Sequence, residues 1–305
     1  MDYFNNVTYI SLEGHVELEK YRYVYFLISL TVYLLIICCN SVVISIIFAN
    51  KSLHEPMYIF IAALLCNALC GTTAFYPNLL IDLLSEKPAI SREACIFHAF
   101  VIYTYAAAEF TLLSAMAYDR YVSICKPLQY ATLVKMSTVR KLLFICWFWP
   151  SFQLGISIIL TYQLRLCKFK LYRIYCNIYA VVKLSCGDTT VNNSYGLFCL
   201  VIAVFPPVIF IIFSYIRILT VCLKSSKDFR RKALQTCFPH LIIFIIFTFT
   251  ACFEVINSRL EGNVPHLFAM IMSAENLVIP PLLNPIIYGL KMQEIFNRIK
   301  KIIKL

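Results

Sequence analysis

The chain has 305 residues, of which 61% are hydrophobic and only 14% are charged, and its mean hydropathy is +0.76. A water-soluble chain usually carries about a quarter charged residues, so this composition excludes an ordinary soluble protein and indicates a membrane protein. The net charge of +11 requires no nucleic acid partner, because basic loops beside membrane spans also produce such an excess.

Seven segments are long and apolar enough to cross a bilayer. Crossing takes about 20 apolar residues in a helix, and a helix is required because backbone polar groups in lipid must be paired within the protein. The predicted helices one to seven span residues 24–50, 57–82, 95–121, 141–163, 194–220, 233–256 and 264–290. We therefore expect an all-α membrane protein, a seven-transmembrane helix bundle.

The loops predict its orientation. The first, third and fifth connections and the tail hold 17 of the 27 Lys and Arg residues, and positive loops stay in the cytosol. The prediction is an extracellular N-terminal tail at 1–23, a transmembrane domain at 24–290 and a cytoplasmic tail at 291–305. The first 23 residues have no apolar core of signal-peptide length, so helix one is expected to serve as an uncleaved anchor.

The tail has its own pattern. Ile295, Phe296 and Ile299 recur at helical spacing with Arg298 and lysines between them, which predicts a short amphipathic C-terminal helix on the inner membrane lipids.

Four of the fourteen cysteines lie on the predicted outer face. Cys95 opens helix three, and Cys167, Cys176 and Cys186 fall in the second outer loop. The oxidising side of a membrane favours disulfides, and four cysteines allow three pairings; free thiols are the alternative. Asn6 begins an Asn-Val-Thr sequon and is the expected glycosylation site.

Four motifs occur in order along the chain: Pro56-Met57-Tyr58, MAYDRYVSICKPLQY at 116–130, KALQTCFPH at 232–240 and PLLNPIIYGLK at 281–291. Together they resemble the vertebrate olfactory (odorant) receptors, a family of rhodopsin-like G-protein-coupled receptors, and the aromatic-rich middle segments resemble the fish branch. The resemblance implies a receptor that binds a small organic odorant. It also implies activation of a heterotrimeric G protein of the stimulatory or olfactory type, which raises cyclic AMP.

The resemblance implies a set of switch residues. Arg120 pairs with Asp119 at rest and later contacts the G protein, while Pro285 makes helix seven distortable. A chance ion pair and a purely structural proline kink are the alternatives. Pro239, in the expected first turns of helix six, departs from the family pattern. The expected set is Asp119, Arg120, Tyr121, Tyr215, His240, Asn284, Pro285 and Tyr288.

Glu109 is an ionisable residue inside helix three, and burial of such a group is costly unless it is neutralised or paired. The family commonly places a glutamate here, with an aspartate in helix two, to hold sodium. Ala68 occupies the helix-two position in this chain, with Asn67 beside it. We expect weakened sodium binding, with a protonated, hydrogen-bonded Glu109 as the alternative, and we expect no other cofactor.

Four residues share one face of the outer half of helix three: Tyr103, Ala106, Ala107 and Phe110. Ordinary helix packing is the alternative reading. The resemblance places a ligand pocket between helices three, five, six and seven, which adds Cys199, Ala203, Thr248, Ala251, Val255, Met270 and Ala274.

The pocket so drawn is mostly apolar. No aspartate stands on the helix-three face, which argues against a biogenic amine held there and favours a small neutral or weakly polar ligand. Basic residues of the second outer loop could instead steer an anionic ligand inward. These are Arg165, Lys168, Lys170 and Arg173.

Other functions fit less well. A transporter or channel usually shows internal repeats or paired broken helices, and an enzyme needs a nucleophile, a metal cluster or an acid–base pair. A non-olfactory rhodopsin-like receptor for a lipid or a small anion is the nearer alternative, which the runs at 116–130 and 232–240 disfavour. For an odorant receptor we predict bridges from Cys95 to Cys176 and from Cys167 to Cys186.

Overall fold

The computed structural model describes residues 9–14, 21–259 and 266–303, and within them seven long helices form a bundle. Among the described residues, six of these helices are long and apolar enough to cross a membrane. The seventh long helix is α9. The predicted fold class is confirmed. Helices one to seven are α1 (Arg22–Ala49), α2 (Pro56–Leu84), α3 (Arg92–Cys125), α5 (Met136–Tyr162), α7 (Thr190–Lys224), α8 (Lys227–Arg259) and α9 (His266–Lys291).

Shorter elements complete the chain. Helix α4 (Tyr130–Leu133) joins α3 to α5, α6 (Ile178–Val182) lies between α5 and α7, and α10 (Gln293–Ile303) follows α9. The Ile295 side chain of α10 is fully buried in the same apolar core as α1 and α2, and Ile299 packs against it. The apolar face of the amphipathic helix is therefore used, in part, to dock on the bundle.

Helix six begins earlier than the sequence suggested. The sequence predicts that helix six begins with the run 232–240, but α8 starts at Lys227, so Pro239 lies well inside the helix and not in its first turns. The predicted boundary followed the end of the charged segment, whereas a helix can extend beyond the apolar stretch into water.

Several prolines interrupt the transmembrane helices, and each removes the hydrogen bond to the carbonyl four residues earlier. Three of the freed carbonyls accept a side-chain donor from another helix. Thr111 donates to the Cys146 carbonyl below Pro150 at 2.9 Å, Tyr105 to the Asn276 carbonyl below Pro280 at 3.0 Å, and Asn40 to the Pro281 carbonyl below Pro285 at 2.9 Å. The broken helices are thereby satisfied from neighbouring helices.

One end of the bundle, here called the disulfide end, carries a small sheet. Strand β1 (Tyr9–Leu12) pairs antiparallel with β2 (Ala89–Ser91) and parallel with β3 (Lys170–Leu171). Lys170 of β3 also contacts Glu13 at 2.7 Å. The N-terminal segment is thus tied to the loop between α5 and α7.

Two disulfides hold the same loop. Cys95 at the start of α3 is bonded to Cys176, with 5.3 Å between their Cα atoms, and Cys167 is bonded to Cys186, with 5.4 Å between theirs. These are the two pairings expected from the sequence. Asn6 lies outside the described residues.

The Cys95–Cys176 bridge yields a prediction about folding. Cys95→Ala and Cys176→Ala should each lose most surface delivery, because loss of a native disulfide typically costs about 2 to 5 kcal/mol. Flow cytometry of an epitope-tagged chain measures the surface level. The double variant should be no worse than either single one, and Cys199→Ala, which removes a buried thiol without a bridge, is the matched control. Normal delivery of both single variants would contradict the prediction.

Candidate ligand pocket and coupling site

The end of the bundle opposite the disulfides, here called the coupling end, carries a buried charge pair. Asp119 is fully buried, and one of its oxygens pairs with Arg120, whose Nε lies 3.0 Å away. The other oxygen accepts a hydrogen bond of 2.8 Å from the Tyr130 hydroxyl of α4. Burial and the Asp119 carboxylate raise the pKa of Tyr130, so the hydroxyl stays a donor. Arg120 is thus held against α3.

His240 of α8 joins three helices in the same region. Its Nε2 lies 3.0 Å from the Leu113 carbonyl of α3, and its Nδ1 faces the Tyr215 hydroxyl of α7. A carbonyl can only accept, so Nε2 carries the proton of the neutral ring and Nδ1 accepts from Tyr215. These bonds keep the coupling end of α8 against α3 and α7.

The switch residues of α9 lie beside this site. Tyr288 is buried and its hydroxyl points to the Met116 sulfur at 3.9 Å, whereas Tyr215 is bonded to His240. The two tyrosines therefore have separate partners in this arrangement. Tyr121, the last member of the Asp-Arg-Tyr triplet, packs at a tilt against Phe213 of α7, with 6.3 Å between ring centres.

Glu109 lies at the centre of the bundle and is fully buried. Its two oxygens accept hydrogen bonds of 2.9 Å from the side-chain amides of Asn67 in α2 and Asn284 in α9. Asn67 also donates to the Tyr105 carbonyl at 3.1 Å and accepts from the Trp147 indole at 3.2 Å. Its amide nitrogen therefore faces two acceptors and its oxygen faces a donor, which fixes its orientation.

This arrangement does not fit a sodium ion. Sodium needs several oxygen ligands, as other hard cations do, whereas each Glu109 oxygen already accepts an amide N–H group. Ala68, at the position where the family has its aspartate, is buried and offers no ligand. Amide donors thus take the place in which a cation would lie.

The described members of the predicted pocket lie in the disulfide half of the bundle. Tyr103, Ala106 and Ala107 of α3 are partly buried. Phe110 is buried and meets Phe247 of α8 edge to face at 4.8 Å, which makes it a floor below the other three.

Four more described members of the predicted pocket lie on α7 and α8. Cys199 of α7 is buried, whereas Ala203 of α7 and Thr248 and Ala251 of α8 are partly buried. The side chains of Val255, Met270 and Ala274 lie outside the described residues.

Sequence reasoning missed an acidic group at the pocket. Glu254 of α8 accepts a hydrogen bond of 2.6 Å from the hydroxyl of Tyr175, which directly precedes Cys176 in the outer loop. Tyr175 is only 5% exposed and meets Phe75 of α2 edge to face at 5.9 Å. The signal was present, because Glu254 falls within predicted helix six and an ionisable residue there suggests function.

Comparison with known proteins agrees with the fold. The model of the olfactory receptor family matches residues 29–304. Human olfactory receptor 52A5 is 36% identical over 88% of this chain and 86% of its own length, and human olfactory receptor 10J5 is 30% identical over 98% and 97%. The crystal structure of squid rhodopsin has a TM-score of 0.74 at 16% identity and covers 92% of this chain and 85% of its own.

The helix bundle defines a rhodopsin-like G-protein-coupled receptor, a class of multi-pass membrane proteins and not of enzymes. Within that class the chain belongs to the olfactory receptor family, whose members bind small ligands and couple to heterotrimeric G proteins. The likeness to the fish branch stays a prediction.

The Tyr130–Asp119 bond predicts a change in basal signalling. Tyr130→Phe removes one hydrogen bond that holds the closed arrangement, worth about 1 kcal/mol, so the ratio of open to closed receptor should rise roughly fivefold. Ligand-independent second-messenger output, normalised to surface level, measures this ratio. Tyr118→Phe removes a hydroxyl beside the same motif and is the matched control. Equal basal output from the two variants would refute the role of Tyr130.

Proposed function

We propose that this chain is an odorant receptor that binds a small organic ligand within the bundle and activates a G protein of the stimulatory or olfactory type, raising cyclic AMP. The observation that carries the proposal is the closed coupling end, where Arg120 is paired with Asp119 and His240 ties α8 to α3. In this arrangement Arg120 is paired and inaccessible to a partner. Movement of the coupling end of α8 away from α3 would give a second arrangement in which Arg120 is accessible.

The proposed orientation puts the disulfide end outside the cell. Disulfides form in oxidising compartments, and the two bridges lie at the same end as the N-terminal strand β1. Basic residues concentrate at the other end, as expected for the cytosol. We propose a plasma-membrane receptor with an extracellular tail that ends near residue 23, glycosylation at Asn6, a transmembrane domain near 24–290 and a cytoplasmic helix from residue 291 onward.

The proposed pocket lies between α3, α7, α8 and α9. Tyr103, Ala106 and Ala107 form its α3 wall, and Phe110 against Phe247 forms its floor. The Thr248 hydroxyl is buried and has no hydrogen-bond partner among the described residues, so a polar ligand group can use it. The proposal also includes Cys199, Ala203, Ala251, Val255, Met270 and Ala274.

Opening of α8 has a definable cost. The bonds from His240 to Leu113 and from Tyr215 to His240 must break, and each contributes about 1 kcal/mol net. A ligand must therefore bind the open arrangement more tightly by a few kcal/mol to populate it.

The start of α8 provides the proposed surface for the G protein and for anionic lipid. Lys227, Arg230, Arg231, Gln235 and Phe238 line a groove of about 550 Å³ there. Its basic and aromatic lining matches acidic groups of a partner or of inner-leaflet lipids.

Arg120→Ala tests the proposed function. The variant should lose ligand-dependent cyclic AMP completely and keep its surface level, because Arg120 forms an ion pair with the adjacent Asp119 alone among the described residues and is proposed to contact the G protein once released. A cyclic AMP reporter and surface labelling on the same cells measure both. Arg140→Ala, at a basic residue of α5 outside the proposed switch set, is the control. Full signalling by Arg120→Ala would refute the assignment.

We propose further that amide hydrogen bonds hold the centre of the bundle in place of sodium. The side-chain amides of Asn67 and Asn284 each donate a hydrogen bond to the buried Glu109 carboxyl group, so no cation is needed as its partner. These two bonds join α2, α3 and α9 through the Glu109 carboxyl group, so in this proposal the three helices need no ion to stay together.

This sodium proposal predicts an ion-insensitive receptor. The melting temperature of the purified wild-type protein should be the same in sodium chloride and in choline chloride. Ala68→Asp places a second carboxylate beside Glu109 and should introduce stabilisation by sodium, since a ligand that binds only the folded state raises its stability. Ala68→Asn has nearly the same size without the charge and should stay insensitive. Sodium-dependent stabilisation of the wild type would contradict the proposal.

A further inference from the structure

The roof of the pocket contains a carboxylate and two phenol rings. Glu254 lies near the disulfide end of α8 and accepts the Tyr175 hydroxyl at 2.6 Å. Tyr103 of α3, on the wall of the proposed pocket, lies close enough to Tyr175 to add to the rise that burial causes in the pKa of its hydroxyl. An acidic group is therefore presented where the loop, α3 and α8 converge.

The position of Tyr175 is imposed by the fold. The adjacent Cys176 is bonded to Cys95 of α3, and the Tyr175 ring packs on Phe75 of α2. From there its hydroxyl reaches across the bundle to α8. Tyr175 thus links the loop and α2 to α8 at the disulfide end of the proposed pocket.

Tyr175 is a neutral partner for this carboxylate. Burial and the nearby Glu254 carboxylate raise the pKa of Tyr175, so the phenol keeps its proton and offers one uncharged donor. A protonated amine offers up to three donors together with the opposite charge, and hydrogen bonds between ionised partners are about twice as strong as neutral ones. An ammonium group can therefore displace the hydroxyl.

The surrounding charges favour a cation over an anion. Lys170, one of the loop residues considered for steering anions, is exposed and paired with Glu13, which raises the pKa of the Lys170 ammonium. Burial and Glu254 raise the pKa of the Tyr175 hydroxyl, and Arg173 lies close enough to oppose this rise in part. Glu254 places an acidic group of α8 directly beside the same hydroxyl.

We propose that the pocket selects small organic amines: the ammonium group binds Glu254 in place of the Tyr175 hydroxyl, and the hydrocarbon part lies against Ala106, Ala107 and Ala251. The rings of Tyr103 and Tyr175 flank the cation, as aromatic faces do in other ammonium sites. The absence of an aspartate on helix three excludes only a salt bridge from that helix. This inference rests on the proposed function as a ligand-activated receptor.

The experiment compares primary amines, alcohols and carboxylates built on the same skeletons, from pentyl to nonyl and including cyclohexyl and phenyl forms. Receptor-expressing cells are read by cyclic AMP and, independently of the G protein, by arrestin recruitment. Amines should activate the wild type at lower concentrations than the matched alcohols and carboxylates. Glu254→Gln should shift the amine response by about tenfold or more to higher concentration, as loss of a charged hydrogen bond does.

Two further variants separate ligand binding from structure. Tyr175→Phe removes the competing hydroxyl and should keep or improve the amine response. Arg173→Gln should leave amines active. The proposal is wrong if the wild type responds more strongly to carboxylates than to amines and Arg173→Gln abolishes the carboxylate response, because the pocket is then an anion site. Equal losses for all three ligand classes in Glu254→Gln and Tyr175→Phe would make the contact a structural latch and would also overturn it.

The outcomes distinguish this inference from the proposed function. Amines that are silent, or no better than alcohols, refute the amine proposal, while a response to the other compounds leaves the receptor function standing. Glu254-dependent amine responses in arrestin recruitment without cyclic AMP would support amine binding and refute the G-protein assignment. If Glu254→Gln does not reach the surface, Glu254→Asp and the wild-type comparison of the three classes decide the question.

Discussion

A backbone carbonyl inside a lipid bilayer must find a hydrogen-bond donor within the protein, and the prolines of this chain make that requirement acute. Pro150, Pro280 and Pro285 each free a carbonyl in the middle of a helix. The donors come from α3 and α1, so each interrupted helix is paired with a particular neighbour at a particular height. A slide of α9 by one turn against α3 would unpair the Asn276 carbonyl, and a slide against α1 would unpair the Pro281 carbonyl. Both bonds therefore restrict the register of α9 in the bundle.

The same constraint links α9 by hydrogen bonds to both α1 and α3. Asn284 donates a hydrogen bond to Glu109 and directly precedes Pro285. Pro285 leaves the Pro281 carbonyl without its helical partner, and Asn40 donates to that carbonyl. Glu109 in turn is bonded to Asn67 of α2, which continues to Trp147 of α5. The polar centre therefore connects five helices through side chains that can exchange partners, while the apolar packing around it stays intact. Such an element can have two discrete arrangements.

Sequence patterns predicted the seven spans and the charge pair at Asp119, because length and a local motif determine these features. The redox side of the membrane indicated which four cysteines form bridges but left three pairings open, and the pairing itself came from the family resemblance. The partners of the buried polar groups were not predictable in the same way. Tyr130 reaches Asp119 because α4 folds back beneath α3, and Asn67 rather than the residue at the family position meets Glu109. Glu254 was missed because the ligand's charge was inferred from one face of helix three. The start of α8 was placed too late because the apolar boundary is not the helix boundary.

Helix α8 carries contacts at both ends of the signal path. Glu254 bonds to the roof of the pocket and His240 bonds to α3 at the coupling end, about 21 Å apart along a helix that rises 1.5 Å per residue. Pro239 lies beside His240, where the helix lacks one internal hydrogen bond. In the proposed mode of amine binding, the ligand displaces the Tyr175 hydroxyl from Glu254 and removes this hydrogen bond near one end of α8. The weak point beside His240 then allows the other end to leave α3, so the two polar contacts are linked through a single helix.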